Sequence, residues 1–318
     1  MNVALFVTNM GCPHRCVFCD QNAIAGAPPV TREEIIAACE TAERVPGAAD
    51  GEIAFFGGSF TAVPRDYMLM CLETAYRYVE DGRFGGIRIS TRPDCIDPET
   101  LGILKRYGVR AIELGAQSMD DSVLAANGRG HTAEDTVNAS RMIKAEGFEL
   151  GLQIMPHMYG SDDAKDIATA RAVCRLEPKT VRIYPTVVLK NTALARLYEK
   201  GEYSPAPLES SVALCARLLD VFEQSGVSVI RLGLHSGSDV EKNLLAGPYH
   251  PAFRQLAESR RIFERVYKEL EKQAPGRYTV FVEKRELSNA IGQNRENVKK
   301  LGELGYEVRF APKTGVEQ

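Results

Sequence analysis

Short apolar runs recur along this chain, and each is followed by a stretch in which apolar residues return every three or four positions. The runs Val3–Thr8, Glu52–Phe56, Gly86–Thr91, Ala111–Gly115, Leu150–Met155, Thr180–Tyr184 and Ser228–Leu232 read as strands. The stretches Thr31–Arg44, Arg65–Tyr78, Pro98–Tyr107, Ala133–Ala145, Ala164–Cys174 and Leu208–Gln224 read as amphipathic helices. Thr31 with Glu34 three residues on has the pattern of a capping box, and Pro98 after Asp97 marks another helix start. Gly108, Gly147 and Gly226 mark helix ends. Alternation at this spacing predicts βαβ units on a parallel sheet. Six or seven units favour an α/β fold with a full or partial (β/α) barrel over a doubly wound open sheet. No internal repeat or low-complexity segment interrupts the pattern.

Both folds put function at the carboxyl ends of the strands. The residues that packing does not call for gather there. "GCPHRCVFCD" follows the first strand, "FFGGSFT" the second and "STRPDC" the third; "ELGAQSM" closes the fourth and "GLQIMPH" the fifth. In the fourth strand a period of two places Glu113, Gly115 and Gln117 on one face and Ile112 and Leu114 on the other. A carboxylate and an amide facing a barrel interior need partners, which makes a ligand there plausible. Gln153, between Leu152 and Ile154, falls on the corresponding face of the fifth strand. Arg92, Arg182 and Tyr184 are further candidates for the interior lining.

Composition narrows the class. Hydrophobic residues are 44% and charged residues 25% of 318, as in an ordinary globular protein. The start MNVALFV has no basic segment or cleavage site, and no apolar run reaches membrane-spanning length. A cytoplasmic protein without a membrane association is expected. Eight cysteines then argue for thiols or metal ligands over disulfides. The net charge of −3 is uneven: from residue 240 onward 15 Lys and Arg stand against 11 Asp and Glu, and before it 24 against 31. A basic tail on an acidic body hints at an anionic partner for the tail.

Cys12, Cys16 and Cys19 form C-x3-C-x2-C in one loop. Three thiolates so close bind iron–sulfur or zinc. Structural zinc wants a fourth ligand, and His14, inside the loop, is awkwardly placed to supply it. Cys39, Cys71, Cys95, Cys174 and Cys215 are scattered singly and read as small buried residues, although Cys95 follows a strand and can approach the loop. A [4Fe–4S] cluster on three cysteines leaves one iron open to an external ligand.

The triplet, with Phe18 just before its last cysteine, resembles the signature of the radical S-adenosylmethionine (SAM) superfamily. "FFGGSFT" resembles that family's glycine motif. "IELGAQSMDDSVLAANGRGHT" and "VRIYPTVVLKNTALARLYEKGEY" resemble the radical SAM domain of the Elongator catalytic subunit and its bacterial relatives, over about residues 1–235. The resemblance implies that Cys12, Cys16 and Cys19 hold the cluster, that SAM chelates the open iron, and that reductive cleavage yields a 5′-deoxyadenosyl radical that takes hydrogen from a substrate. It implies the partial (β/α)6-type TIM barrel as the fold and a low-potential electron donor such as flavodoxin or ferredoxin. Gly57, Gly58 and Ser59 match the motif that meets the methionyl amino group. Gln117 and Ser118 match the contact to the ribose or methionyl part of SAM. Arg129 matches a basic residue facing its carboxylate, and Phe18 and Gln153 complete the expected cofactor wall. Nothing after residue 240 is long enough for the Elongator subunit's acetyltransferase domain, so acetyl-CoA chemistry is not carried over. The coproporphyrinogen oxidases carry a further cysteine where this chain has Gln21, which counts against porphyrin chemistry.

Two domains are expected: a radical SAM partial barrel over 1–240 and an α+β extension over 241–318. The extension opens with a charged amphipathic helix. It continues as strand Tyr278–Glu283, helices Glu286–Ile291 and Arg295–Leu304, and strand Tyr306–Phe310. This order is similar to KH modules of the NusA type, which grip a nucleic-acid backbone with a GXXG loop. Here the loop reads Gly292, Gln293, Asn294, Arg295, with arginine at the second glycine. Lys284, Arg285, Lys299 and Lys300 flank it as possible phosphate contacts. The leading expectation is a radical SAM enzyme acting on a nucleoside of RNA, tRNA or rRNA. The alternatives are a radical SAM enzyme on a small metabolite or protein with a structural tail, and a zinc-stabilised RNA-binding protein without catalysis.

Overall fold

In the computed structural model the described residues are 2–7, 12, 15–19, 29–234 and 238–313. The sheet runs β1 (Val3–Phe6), β2 (Glu52–Phe56), β3 (Gly86–Thr91), β4 (Val109–Gln117), β5 (Glu149–Ile154) and β6 (Thr180–Ile183). The short β7 (Val188–Leu189) leaves it, β8 (Ser228–Leu232) joins it beside β6, and β9 (Leu244–Ala246) pairs antiparallel with β7. All seven strands of the sheet are parallel and lie in chain order. It is a curled half-barrel, the expected partial TIM barrel: β1 and β8 are its ends among the described residues.

The connecting helices are α1 (Arg32–Ala42), α2 (Arg65–Glu80), α3 (Pro98–Arg106), α4 (Asp121–Ala126), α5 (Ala133–Ala145), α6 (Asp163–Arg175), α7 (Ala193–Glu199), α8 (Leu208–Gln224) and α9 (Ser238–Asn243). The capping box is formed: Glu34 N donates to Thr31 Oγ1 at 3.2 Å and Thr31 N to Glu34 Oε2 at 2.8 Å. Asp97 caps α3 by accepting from Thr100 N at 2.9 Å. The strands alternate as expected, apart from register shifts in the β3–β4, β4–β5 and β6–β8 ladders. Leu5, Phe55, Ile89, Leu114, Leu152 and Ile183 enter one apolar core under the helices. Their neighbours face the concave side.

The helix predicted at the start of the tail is α10 (Phe253–Leu270), and it serves two cores. Phe253 and Ala257 belong to the barrel's core; Ile262, Phe263, Val266 and Leu270 belong to a second one. That second core is closed by β10 (Gly276–Val282), α11 (Leu287–Ile291), α12 (Glu296–Glu303) and β11 (Tyr306–Pro312), with β10 and β11 parallel. The expected β-α-α-β order is therefore present. No helix among the described residues is long and apolar enough to cross a membrane.

Candidate functional site

The concave face is polar where the helix-facing side is apolar. Arg88 donates from Nε to Glu52 Oε2 at 2.7 Å, and its Nη1 reaches Glu113 Oε1 at 3.4 Å. Arg182 Nε meets Glu113 Oε2 at 2.9 Å, and its Nη1 donates to the Tyr184 hydroxyl at 3.3 Å. Glu113 thus holds two guanidinium groups in the interior. Above this layer the Arg182 guanidinium lies 4.8 Å from the centre of the Phe56 ring. Phe6 pairs in register with Phe56 and is 67% exposed. Since Val3 and Leu5 go into the core, Phe6 opens on the concave side with Phe56. The expected lining role of Arg182 and Tyr184 is met; the Glu113 cross-links were not foreseen.

The cysteine loop is clamped from two sides. Val17 N donates to Asn127 O at 3.0 Å, behind α4, and Leu194 N at the start of α7 donates to Val17 O at 2.8 Å. Val17 and Phe18 pack on a small cluster of Val188, Leu194, Ala195 and Tyr203. Phe18 therefore anchors the loop to α7. Cys16 is buried, and Cys12 and Cys19 are half-buried. Cys12 Sγ lies 3.5 Å from Ser59 Oγ, which brings the loop to the glycine motif. Arg129 Nη1 donates to Cys16 Sγ at 3.2 Å and Nη2 to Gly115 O at 2.7 Å. No disulfide is formed by the cysteines, and among the described residues no group of three or more His, Cys, Asp or Glu is gathered as one metal ion would need. His14 and Gln21 lie outside the described residues.

The other thiols are chemically quiet. Burial pushes Cys39 up to about 12, and Cys71 and Cys95 up to about 11. Burial raises Cys215 as well. They stay protonated at neutral pH, and the thiolate is the form that binds metal.

The glycine motif sits against the end of β1. Gly57 has φ +104°, and a Cβ there would lie 2.9 Å from Val7 O. A side chain is excluded by backbone, not by movable atoms. Gly57→Ala is expected to cost about 1–3 kcal/mol through the forced backbone conformation. It should lower the melting temperature and weaken SAM binding in equilibrium dialysis; unchanged affinity would detach this turn from the cofactor. Gly58 is half-buried and Ser59 is buried.

At the end of β4 the ladder to β5 shifts register between Gly115 and Gln117, and Gln117 takes φ +65°. A buried glutamine in the left-handed region is strained, and such strain collects at binding sites. The bulge aims Gln117 at Gln153, whose Nε2 donates to Gln117 Oε1 at 3.2 Å. The two amides expected on the cofactor wall are thus brought together. Ser118 is not with them. Its hydroxyl is buried 3.3 Å from Thr169 Oγ1 on α6 and accepts from Asp120 N at 3.1 Å. The bulge turns successive side chains to opposite sides, so Ser118 fastens the strand to the helix layer.

In the tail, Lys284 and Arg285 form an exposed turn before α11. Gly292 has φ +77°, and Asn294 and Arg295 follow at +50° and +61°. Gln293 Nε2 donates to Gln255 Oε1 at 3.1 Å on α10. Arg295 and Lys299 are exposed. Lys300 is not available in the same way: its Nζ is 2.7 Å from Glu296 and 3.6 Å from Glu209 on α8.

Known proteins are similar to this chain. The sequence model of the Radical SAM superfamily matches residues 6–173, over half of the chain, and that of the radical SAM C-terminal domain matches residues 178–265. A tRNA uridine(34) acetyltransferase of Methanocaldococcus jannaschii is 26% identical over 254 residues, 67% of this chain and 47% of its own. Human Elongator complex protein 3 is 29% identical over 188 residues, 53% of this chain and 34% of its own. The chain spans half or less of the length of these relatives. Archaeal Elp3 of Methanocaldococcus infernus superposes with a TM-score of 0.64 at 23% identity, covering 85% of this chain and 62% of that one, a likeness of fold. The reading as a zinc-stabilised binding protein without catalysis is overturned by the superfamily match. The chain is an enzyme that belongs to the radical SAM superfamily, which works with a [4Fe–4S] cluster and SAM.

Proposed function

We propose that this enzyme modifies a nucleoside in RNA, with Cys12, Cys16 and Cys19 as the cluster ligands and Gly57, Gly58, Ser59, Gln117, Arg129 and Gln153 around SAM. The residues fit the group. Cys16 Sγ accepts a hydrogen bond from a buried guanidinium. Arg129 Nε is buried without a partner beside it. The three thiols are spread around a loop and not converged on one point; a cuboidal cluster takes one thiolate per iron. When bound, the cluster and SAM supply the radical that takes hydrogen from the substrate. The protein's own part is to hold SAM against the wall of Gln117 and Gln153, to exclude water and to orient the substrate.

The observation that carries the RNA substrate is the open aromatic surface of the concave face beside the cysteine loop. Phe6 and Phe56, with the Arg182 guanidinium over Phe56, offer stacking to a flat heterocycle. The relatives named for tRNA uridine 34 point the same way. We take residues 1–240 as the catalytic part and the remainder as the RNA address. Lys284, Arg285, Arg295 and Lys299 are exposed: the first two precede α11, Arg295 ends the loop 292–295, and Lys299 lies one turn into α12. An electrophoretic shift with total cellular RNA is expected at low salt. Arg295→Glu with Lys299→Glu should remove it without loss of iron. For a few phosphate contacts, binding should fall about tenfold or more between low and physiological salt. No shift at low salt would reject the RNA address. A second reading, a structural tail on an enzyme for a small metabolite or protein, is favoured by one contact: Lys300, paired with Glu296 at 2.7 Å, also reaches Glu209 of the barrel at 3.6 Å.

A further inference from the structure

A buried guanidinium normally takes a carboxylate. Arg129 is 5% exposed and makes no ion pair among the described residues. Its two Nη atoms go to the Cys16 sulfur and to the Gly115 carbonyl, and its Nε has no partner. Leaving a cation buried in this way is costly unless an anion arrives. Behind it Arg92, 3% exposed, is held by Asp94 in a two-point contact of 2.9 and 3.0 Å, and its Nη2 donates to the Arg129 carbonyl. Among the described residues, Arg129 is thus a buried cation beside the cysteine loop with a sulfur and a carbonyl as its partners and no carboxylate.

From this geometry we infer that Arg129 sets the reduction potential of the cluster upward through its bond to the Cys16 sulfur, and that Arg92 and Asp94 position it. The inference rests on Cys16 being a cluster ligand. Hydrogen bonds to the sulfurs and local charge are two of the levers on iron–sulfur potentials. Reduction adds one electron from a low-potential donor and makes the cluster one charge more negative. A cation at hydrogen-bond distance favours that state. Arginine stays charged in both states, so no proton accompanies the electron at this residue. His131, the third group here, does not share the work: burial first, then the two arginines, hold its pKa down at about 4, and it is neutral at physiological pH.

The test uses the full chain, reconstituted anaerobically without SAM, with iron and sulfide counted and the midpoint potential taken from a redox titration followed by electron paramagnetic resonance. Arg129→Gln is expected to keep its iron and to shift the reduction equilibrium about tenfold toward the oxidised form, about 59 mV lower for one electron. Arg129→Lys, which keeps the charge, should fall between it and the wild type. A structural arginine would change iron content or melting temperature and leave the potential alone. Full iron with an unmoved potential in Arg129→Gln overturns the inference. Should that variant fail to hold iron, Arg129→Lys decides: a potential below that of the wild type at full iron supports the inference, an unmoved one overturns it. A wild-type chain that assembles no cluster removes the cysteine assignment itself, which is a different failure.

Discussion

Cys16→Ala is expected to leave the reconstituted chain without iron and without 5′-deoxyadenosine formation from SAM. Cys16 is the buried member of the triplet, and its sulfur is already fixed by Arg129 at 3.2 Å. Alanine there leaves the guanidinium buried with no anion to face, and no neighbouring thiol can substitute. Cys95 is the nearest alternative in the sequence order of the site, and burial keeps it a thiol at about 11. Cys12→Ala and Cys19→Ala should do the same, because a cluster on three thiolates has no spare ligand. Cys39→Ala, Cys71→Ala and Cys215→Ala are the controls. Each removes one buried sulfur far up its titration range and should retain iron. Iron and sulfide analysis with the visible spectrum reads all six; near-normal iron in any triplet variant sinks the assignment.

The second large effect is on stability. Glu113→Ala should destabilise the barrel by about 3–5 kcal/mol, the range for removing one partner of a buried ion pair. The carboxylate is 5% exposed and lies between Arg88 at 9% and Arg182 at 16%. Its loss leaves Arg182 with only the Tyr184 hydroxyl and the Phe56 ring. Arg88 suffers less, since Glu52 still takes two of its nitrogens at 2.7 and 3.2 Å. A fall in melting temperature of roughly 2–4 °C per kcal/mol follows for a domain of this size. Glu113→Ala combined with Arg182→Met should recover part of the loss, because the methionine replaces the stranded charge with packing. If calorimetry finds Glu113→Ala within about 0.5 kcal/mol of wild type, as for a neutral surface change, the network is not structural.

Much of the fold was legible because its signals are local. Period two in "EIAFF" and "GIRIST" needs only neighbours to be read, and β2 and β3 have the bounds expected. Caps are equally local: Thr31 and Glu34 are three residues apart, and α1 starts between them. The thiol loop is legible for the same reason, as is the face of Gln153, which follows from strand alternation; it is the bulge that brings Gln117 to it. Ser118 was placed by resemblance, and the partner of its hydroxyl, Thr169, lies 51 residues on. The register shift that turns Gln117 over comes from β5, thirty-odd residues on.

The sequence by itself determined the alternating elements, the parallel sheet they imply, and a trio of cysteines at its carboxyl end. Those follow from periodicity and spacing, which one-dimensional order contains. Only the tertiary structure decided which charges meet. Arg129 reaches Cys16 across 113 positions, and Arg182 reaches Glu113 across 69. Lys300 is drawn from a presumed phosphate contact to Glu209 on α8 because α10 builds both cores and brings the tail against the barrel. Electrostatic partners are chosen by distance and dielectric in three dimensions, and no pattern along the chain encodes either.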